Sequence, residues 1–148
     1  MKKIEDMLET HELDLKTAII FHRAERSIRN QENKVFKEMN LTRNQFAVME
    51  TLYSKGQLRI QDLIDKILST SGNMTVVIKN MVRDGYIQKV CDPNDKRSFL
   101  LDLTPLGRET IEAVLPRHIE NIATTFSILD ERDKKDLQRI LKKMKDLS

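Results

Sequence analysis

The sequence predicts a mainly α-helical protein with one small β-hairpin. Its 148 residues are the size of one domain, a third of them are charged and aromatic residues are few, which fits helices better than a sandwich or barrel. Two short apolar stripes share one helical period and are joined by a small polar turn. A charged loop at 92–98 then separates two β-compatible runs. These observations predict a pair of short helices followed by a hairpin.

The first two helices are predicted from their spacing and their capping residues. Residues 12–39 contain few helix-breaking residues and predict one long helix. Thr42 is expected to start the second helix as a capping box, with Gln45 reaching back to the Thr42 amide. Gly56 is expected to end it. Its apolar stripe is Phe46, Met49, Leu52 and Tyr53.

The third and fourth helices both have apolar residues at i, i+3, i+4, i+7 and i+8. In the connecting turn, Ser69, Thr70 or Ser71 is expected to cap the fourth helix. Neither helix can bury its stripe alone, so helices two, three and four are predicted to form a three-helix core. The two stripes are Ile60, Leu63, Ile64, Ile67, Leu68 and Met74, Val77, Ile78, Met81, Val82.

After Gly85 ends the fourth helix, the runs 86–91 and 99–103 are predicted to pair across the charged loop. Thr104 and Pro105 supply a capping hydroxyl and a first-position proline for another helix, which is expected to run toward residue 126 with a kink near Pro116. The order helix-turn-helix, strand, basic loop, strand is that of a winged helix-turn-helix.

The two ends of the chain predict dimerisation. Asp130 is expected to cap a last helix, which stands outside the three-helix core together with helix 12–39. The simplest way to bury their stripes is against a partner chain, and the alternative is packing within a monomer that binds one half-site. We expect dimerisation helices at 1–40 and 105–148 around a winged domain at 41–104. The last stripe is Leu137, Ile140, Leu141, Met144 and Leu147.

Charge placement indicates which segment meets a polyanion. Residues 41–100 carry nine basic and six acidic residues, whereas 1–40 and 101–148 are each neutral, so the net charge of +3 lies in the middle. On the outward face of the fourth helix, Asn73 can pair with adenine and Thr75 and Val76 offer methyl groups to thymine. The predicted DNA contacts are Ser71, Asn73, Thr75, Val76, Lys79, Asn80 and Arg83 on the helix, Asn94, Asp95, Lys96 and Arg97 on the wing, and Thr42 and Arg43 at the backbone.

Two features of this surface leave alternatives open. Asp92 or Asp95 is expected to orient Arg97 through a charge-assisted bond. Alternatively, the outward face of the fourth helix is an ordinary solvated face and the charged loop is a turn that keeps the protein soluble. Cys91 at the wing entrance is expected to be a small buried residue on a strand, and the alternative is a redox sensor.

Other classes of protein are disfavoured. No set of residues with the spacing of a catalytic, phosphate-binding or metal site is present, so we expect no enzyme activity, no metal and no cofactor. No apolar run approaches the roughly 18 residues that span a membrane, and acidic residues follow the basic N-terminus where a signal peptide needs an apolar core. One cysteine cannot form an intramolecular disulfide, which favours the cytoplasm.

From about residue 12 onward, the chain resembles the MarR family of transcription regulators. The matching segments are 41–49, Asn73-Met74-Thr75, 83–87, Asp95-Lys96-Arg97 and 103–107. The resemblance implies a homodimer with intertwined first and last helices, one winged domain on each half of a pseudopalindrome, and small aromatic or phenolic effectors bound between the dimer helices and the DNA-binding lobe. Many members have arginine where this chain has Val76, so base preference is not transferred. Many also have arginine where this chain has Asn94, so Lys96 and Arg97 are expected to carry the wing contact.

We therefore predict a sequence-specific DNA-binding transcription regulator, acting as a ligand- or oxidant-responsive repressor on a pseudopalindromic operator as a homodimer. Half-sites about one helical turn apart would suit such a dimer. A winged-helix protein–protein interaction module without specific DNA binding is the alternative. A small-molecule-binding or detoxifying protein is a third hypothesis.

Overall fold

The computed structural model describes residues 2–67 and 73–145, and over these residues the mainly α-helical fold with one hairpin is confirmed. Its elements, in chain order, are α1 (Lys2–Thr10), α2 (Glu12–Glu38), α3 (Arg43–Lys55), α4 (Ile60–Lys66), α5 (Met74–Arg83), β1 (Ile87–Asp92), β2 (Asp95–Leu103), α6 (Pro105–Phe126) and α7 (Glu131–Lys142).

Capping residues start three of the helices as predicted. Thr42 Oγ1 accepts from the Gln45 amide at 3.1 Å, while Gln45 Oε1 accepts from the Thr42 amide at 3.0 Å, which completes the capping box of α3. Thr104 caps α6 and Pro105 occupies its first turn. Asp130 caps α7. These local signals are confirmed because each joins groups only a few residues apart.

Two helices differ from the predictions. Helix α1 was not predicted, although Ile4, Met7 and Leu8 have helical spacing. Helix α4 ends at Lys66 and is therefore shorter than its apolar stripe suggests. Ile67, the next residue, is buried but has an extended conformation. Leu68 lies outside the described residues. Helix α6 runs from Pro105 to Phe126 as predicted, and the expected kink near Pro116 stays a prediction.

The core is larger than the predicted three-helix unit. Met49, Leu63 and Met81 from α3, α4 and α5 are almost completely buried. Phe36 at the end of α2 and Ile111 in α6 belong to the same cluster. Burying a side chain of this size stabilises a fold by roughly 1.5–3 kcal/mol. The long helices α2 and α6 are therefore packed firmly onto the winged unit, and the core extends beyond 41–104 on both sides.

The hairpin is an antiparallel pair whose register shifts at its tip. Ile87 pairs with Leu103 and Cys91 with Phe99, but Asp92 pairs with Asp95. The tip is therefore shorter than the predicted loop 92–98, and residues 96–98 bulge from β2. The segment before α4 lies along the other edge of β2 through a bridge between Leu58 and Leu101.

Several helices have faces that nothing in the chain covers. All of α7 is exposed, as are the described side chains of α1 and of α2 as far as residue 27. Large apolar side chains lie on these surfaces, including Ile4, Met7, Leu8, Leu13, Ile19, Ile20, Phe21, Ile140 and Met144. None of the helices in the described ranges 2–67 and 73–145 combines the length and the hydropathy that a bilayer crossing requires.

Candidate nucleic-acid interface

Helix α5 presents the face that the sequence predicts for base contacts. Its apolar stripe faces the core, with Met74, Ile78 and Met81 buried. The opposite side is solvent-accessible, except that Asn80 is half-buried. Ser71, also predicted to contact DNA, lies outside the described residues. The exposed predicted contacts of this helix are Asn73, Thr75, Val76, Lys79 and Arg83.

The N-cap of α5 is Asn73, so the prediction that Ser69, Thr70 or Ser71 caps this helix was wrong. Asn73 Oδ1 accepts from the Thr75 amide at 3.1 Å and from the Val76 amide at 3.4 Å. An asparagine at this position satisfies two amides that the helix itself leaves unpaired. The predicted adenine contact stays a prediction, and it would require this oxygen to leave the helix end.

We expect Asn73→Ala to lower the free energy of unfolding by about 1 kcal/mol, because the cap is lost. Asn73→Ser retains a capping oxygen but removes the amide, so it should restore stability and keep the wild-type base preference. Chemical denaturation and binding to a library of operator variants measure the two effects. If Asn73→Ser relaxes the preference at one base pair, Asn73 reads that base directly.

A groove joins α5 to the hairpin and brings two lysines together. It has a volume of about 250 Å³ and is lined by Thr75 and Lys79 from α5 and by Lys89 and Phe99 from the strands. Lys89 Nζ lies 4.5 Å from the centre of the Phe99 ring. Lys89 is not among the DNA contacts that the sequence predicts. Its signal was the two-residue alternation of β1, which places Lys89 on the same face as the core-facing Ile87 and therefore toward α5.

Arg83 at the end of α5 is partly neutralised within the chain. Its Nε donates to Asp84 Oδ1 at 3.0 Å. The hydrogen bond and the charge of Asp84 raise the pKa of the Arg83 guanidinium above its usual value. A phosphate contact by Arg83 would therefore compete with Asp84, which makes Lys79 the simpler cation on this helix.

The hairpin tip exposes its two cations. Lys96 and Arg97 lie in the bulge of β2, and neither side chain has an ion-pair partner among residues 2–67 and 73–145. Asp95 Oδ1 accepts from the Arg97 backbone amide at 3.0 Å and so shapes the turn. The expectation that Asp92 or Asp95 orients the Arg97 side chain was wrong, because Asp92 binds Arg59 and Asp95 accepts from the Arg97 backbone rather than from its side chain. Asn94 is exposed beside them.

The predicted backbone contacts Thr42 and Arg43 are engaged inside the protein. Thr42 caps α3, as described above. Arg43 is one-quarter exposed, lies 3.3 Å from Glu32 and donates to Asn33 Oδ1 at 3.3 Å. These contacts hold α3 against α2. A role of this pair at the DNA backbone stays a prediction, and the geometry favours a structural role.

Cys91 is exposed on β1, so the expectation of a buried residue was wrong. Cys91 shares the strand face of the buried Ile87, but Lys89 on this face is already exposed, so the hairpin extends beyond the core before it reaches Cys91. An exposed thiol is accessible to oxidants, which keeps the sensor hypothesis open. Within the described ranges, no three His, Cys, Asp or Glu side chains form a group that could hold a metal ion.

His118 lies where α6 meets α2 and α3. Its ring stacks on Phe36 at 5.5 Å and lies 4.7 Å from the Phe46 ring. Burial lowers the pKa of His118 below its usual value near 6.5, while Glu32 opposes and Arg43 adds to the shift. The neutral ring therefore supports the folded state above pH 6.5, and this support is lost as the pH falls.

Comparisons with known proteins agree with this geometry. A model described as the MarR family matches residues 41–99. The uncharacterized HTH-type transcriptional regulator YkoM of Bacillus subtilis is 36% identical over 124 residues, which cover 84% of this chain and 80% of that protein.

Two solved structures have the same fold. A mutant of MarR from E. coli in complex with operator DNA has a TM-score of 0.79 at 19% identity, covering 91% of this chain and 97% of that one. BpsR of Bordetella bronchiseptica has a TM-score of 0.75 at 24% identity, covering 88% and 99%.

Proposed function

Because the chain belongs to the MarR family of DNA-binding transcription regulators, we propose that it acts as a homodimeric repressor of a pseudopalindromic operator and is released by a small ligand or an oxidant. The DNA-binding part of this proposal rests on the groove that α5 shares with the hairpin. Each dimer subunit would place α5 in a major groove and its wing tip on the adjacent phosphates.

The uncovered helices support the dimer. Helix α7 has an apolar side, yet none of its residues is buried. Helix α1 and the first half of α2 likewise have large exposed apolar side chains. Patches of this kind are rare on monomers and are normally covered by a partner. A two-fold dimer would cover the same surface on both copies.

A cavity beside these helices supports release by a ligand. It has a volume of about 580 Å³ and lies between α2, α6 and α7. Ile28, Phe126 and Leu137 contribute apolar walls, while Gln31 and Asn121 contribute polar groups. Such a cavity suits a small aromatic molecule. DNA binding of the structurally similar BpsR is regulated by 6-hydroxynicotinic acid, a molecule of this class.

The location of the cavity suggests how release would work. Helices α2 and α6 enter the core of the winged unit through Phe36 and Ile111. An occupant that shifts α7 against α2 and α6 would change the separation of the two α5 helices, so that both could not enter successive grooves. Oxidation of the exposed Cys91 beside the wing would be a second trigger, acting directly at the DNA contact.

The proposal is tested with the purified protein and fragmented DNA of the source genome. We expect a dimer by light scattering, selection of fragments that share an inverted repeat, and salt-dependent binding to random duplex DNA. A small aromatic compound or an oxidant that releases the selected fragment would support regulation. If the protein does not bind duplex DNA at low salt, it would instead be a protein–protein interaction module.

A further inference from the structure

Asp92 is the one buried charged residue in the described part of the chain, and it lies at the base of the exposed wing tip. It is 4% exposed. A buried carboxylate is unfavourable unless its oxygens are paired and hydrogen-bonded. An aspartate at the end of a strand or in a charged turn can remain exposed, so the burial of Asp92 indicates that its contacts have a specific role.

Both oxygens of Asp92 are occupied. Oδ1 accepts from the Asn94 amide at 2.9 Å. Oδ2 accepts from Arg59 at 2.9 Å from Nη2 and 3.2 Å from Nε, and Ser98 Oγ lies 3.4 Å away. The Asn94 amide and then the Arg59 side chain lower the pKa of Asp92, so the carboxylate is charged throughout the neutral pH range.

The partners of Asp92 belong to different parts of the DNA-binding unit. Asn94 is in the tip turn, and Ser98 closes the bulge that carries Lys96 and Arg97. Arg59 is the N-cap residue of α4, the first helix of the helix-turn-helix. Asp92 therefore links the wing tip to the helix-turn-helix at a point 33 residues away in sequence.

Two further contacts extend the same junction along β2. Gln57 Nε2 donates to Asp102 Oδ2 at 3.0 Å. Leu58 and Leu101 exchange backbone hydrogen bonds at 3.2 and 2.7 Å. Residues 57–59 thus follow the hairpin edge toward its tip, and the ion pair of Arg59 with Asp92 is the contact nearest the tip.

We propose that Asp92 is a positioning residue for DNA binding, which holds the wing tip at a fixed distance from the recognition helix α5. This inference rests on the proposed wing contact. With the link intact, Lys96 and Arg97 are ordered before DNA arrives. Without it, the bulge becomes ordered only when DNA binds, and the entropic cost of this ordering lowers the affinity for DNA.

Asp92→Asn separates this role from simple electrostatics. Removing a negative charge from a DNA-facing loop should strengthen binding to a polyanion. Positioning predicts the opposite sign, an affinity about tenfold lower, because the backbone segment that carries Lys96 and Arg97 loses its preorganisation. Asp62→Asn is the matched control, since it removes the same charge from the exposed surface of α4. The control should bind as the wild type does, or more tightly.

A double-mutant cycle shows whether the effect passes through the wing. Lys96→Ala/Arg97→Ala should lower the salt slope of binding by about two units. In that background, Asp92→Asn should no longer weaken binding, and only the electrostatic gain should remain. Arg59→Gln removes the half-exposed partner of Asp92. This variant should also weaken DNA binding, and the part of the weakening that acts through the wing should be absent in the Lys96→Ala/Arg97→Ala background. It decides the matter if Asp92→Asn fails to fold, which thermal unfolding detects.

Asp92→Asn binding as tightly as the wild type would overturn the inference, and so would an undiminished loss in the wing-deficient background. Either result leaves the proposed function intact, provided that the wild type binds duplex DNA. If the wild type does not bind, the proposed function itself fails.

Discussion

Replacing Ile140 and Met144 with aspartate is expected to produce a monomer and to lower the affinity for a two-half-site operator by about 100-fold or more. The two side chains are 47% and 52% exposed, and neither lines the cavity between α2, α6 and α7. Their replacement should therefore leave the subunit folded. The loss arises because each winged unit must then bind its half-site alone. Light scattering and operator titration measure both effects.

The control variant is Lys135→Ala/Lys142→Ala, which changes the net charge by the same two units. Both lysines lie on the opposite side of α7 from Ile140 by helical spacing. The control should remain a dimer and bind the operator with little change. A dimeric Ile140→Asp/Met144→Asp variant would show that α7 does not carry the subunit contact.

Replacing Gly107 with alanine is expected to lower the free energy of unfolding by about 3 kcal/mol, which is the upper part of the range for overpacking. A β-carbon at this position would lie 2.0 Å from the backbone oxygen of Tyr86 and 3.2 Å from Leu103 Cδ2. The Tyr86 oxygen accepts from the Thr104 amide at 3.1 Å, so it has little freedom to move. Urea denaturation gives the change directly.

The sign of this effect is diagnostic. Alanine normally stabilises an open helical position by roughly 1 kcal/mol relative to glycine. A destabilised variant would therefore report the close contact between α6 and the chain leaving α5. Leu106→Ala is the neighbouring control, because Leu106 is about half exposed and its truncation should have a much smaller effect. A Gly107→Ala variant as stable as the wild type would contradict the close approach.

Local signals predicted most of the fold. The capping residues Thr42, Thr104 and Asp130 each bind an amide three residues away, and Gly56 ends α3 with a positive φ of 79°. Helical spacing likewise identified the buried face of α5. Such features are recognisable because the interacting groups are neighbours in sequence.

Errors arose where two local signals competed. Several polar residues precede α5, and the sequence could not choose among them, whereas the structure assigns the cap to Asn73. The exposure of Cys91 depends on how far the hairpin extends beyond the core, because Lys89 and Cys91 share the face of the buried Ile87 and yet are exposed. Helix α1 was overlooked because its acidic residues were interpreted only as evidence against a signal peptide.

The amino-acid sequence by itself determined the order of helices and strands, the winged helix-turn-helix and the family, because periodicity, caps and turns act over a few residues. Only the tertiary structure decided the partners of charged side chains: Arg43 with Glu32, and Arg59 with Asp92. The physical reason is that an ion pair depends on where distant segments meet in space. Many acids in this chain were equally plausible partners before folding brought one of them within reach.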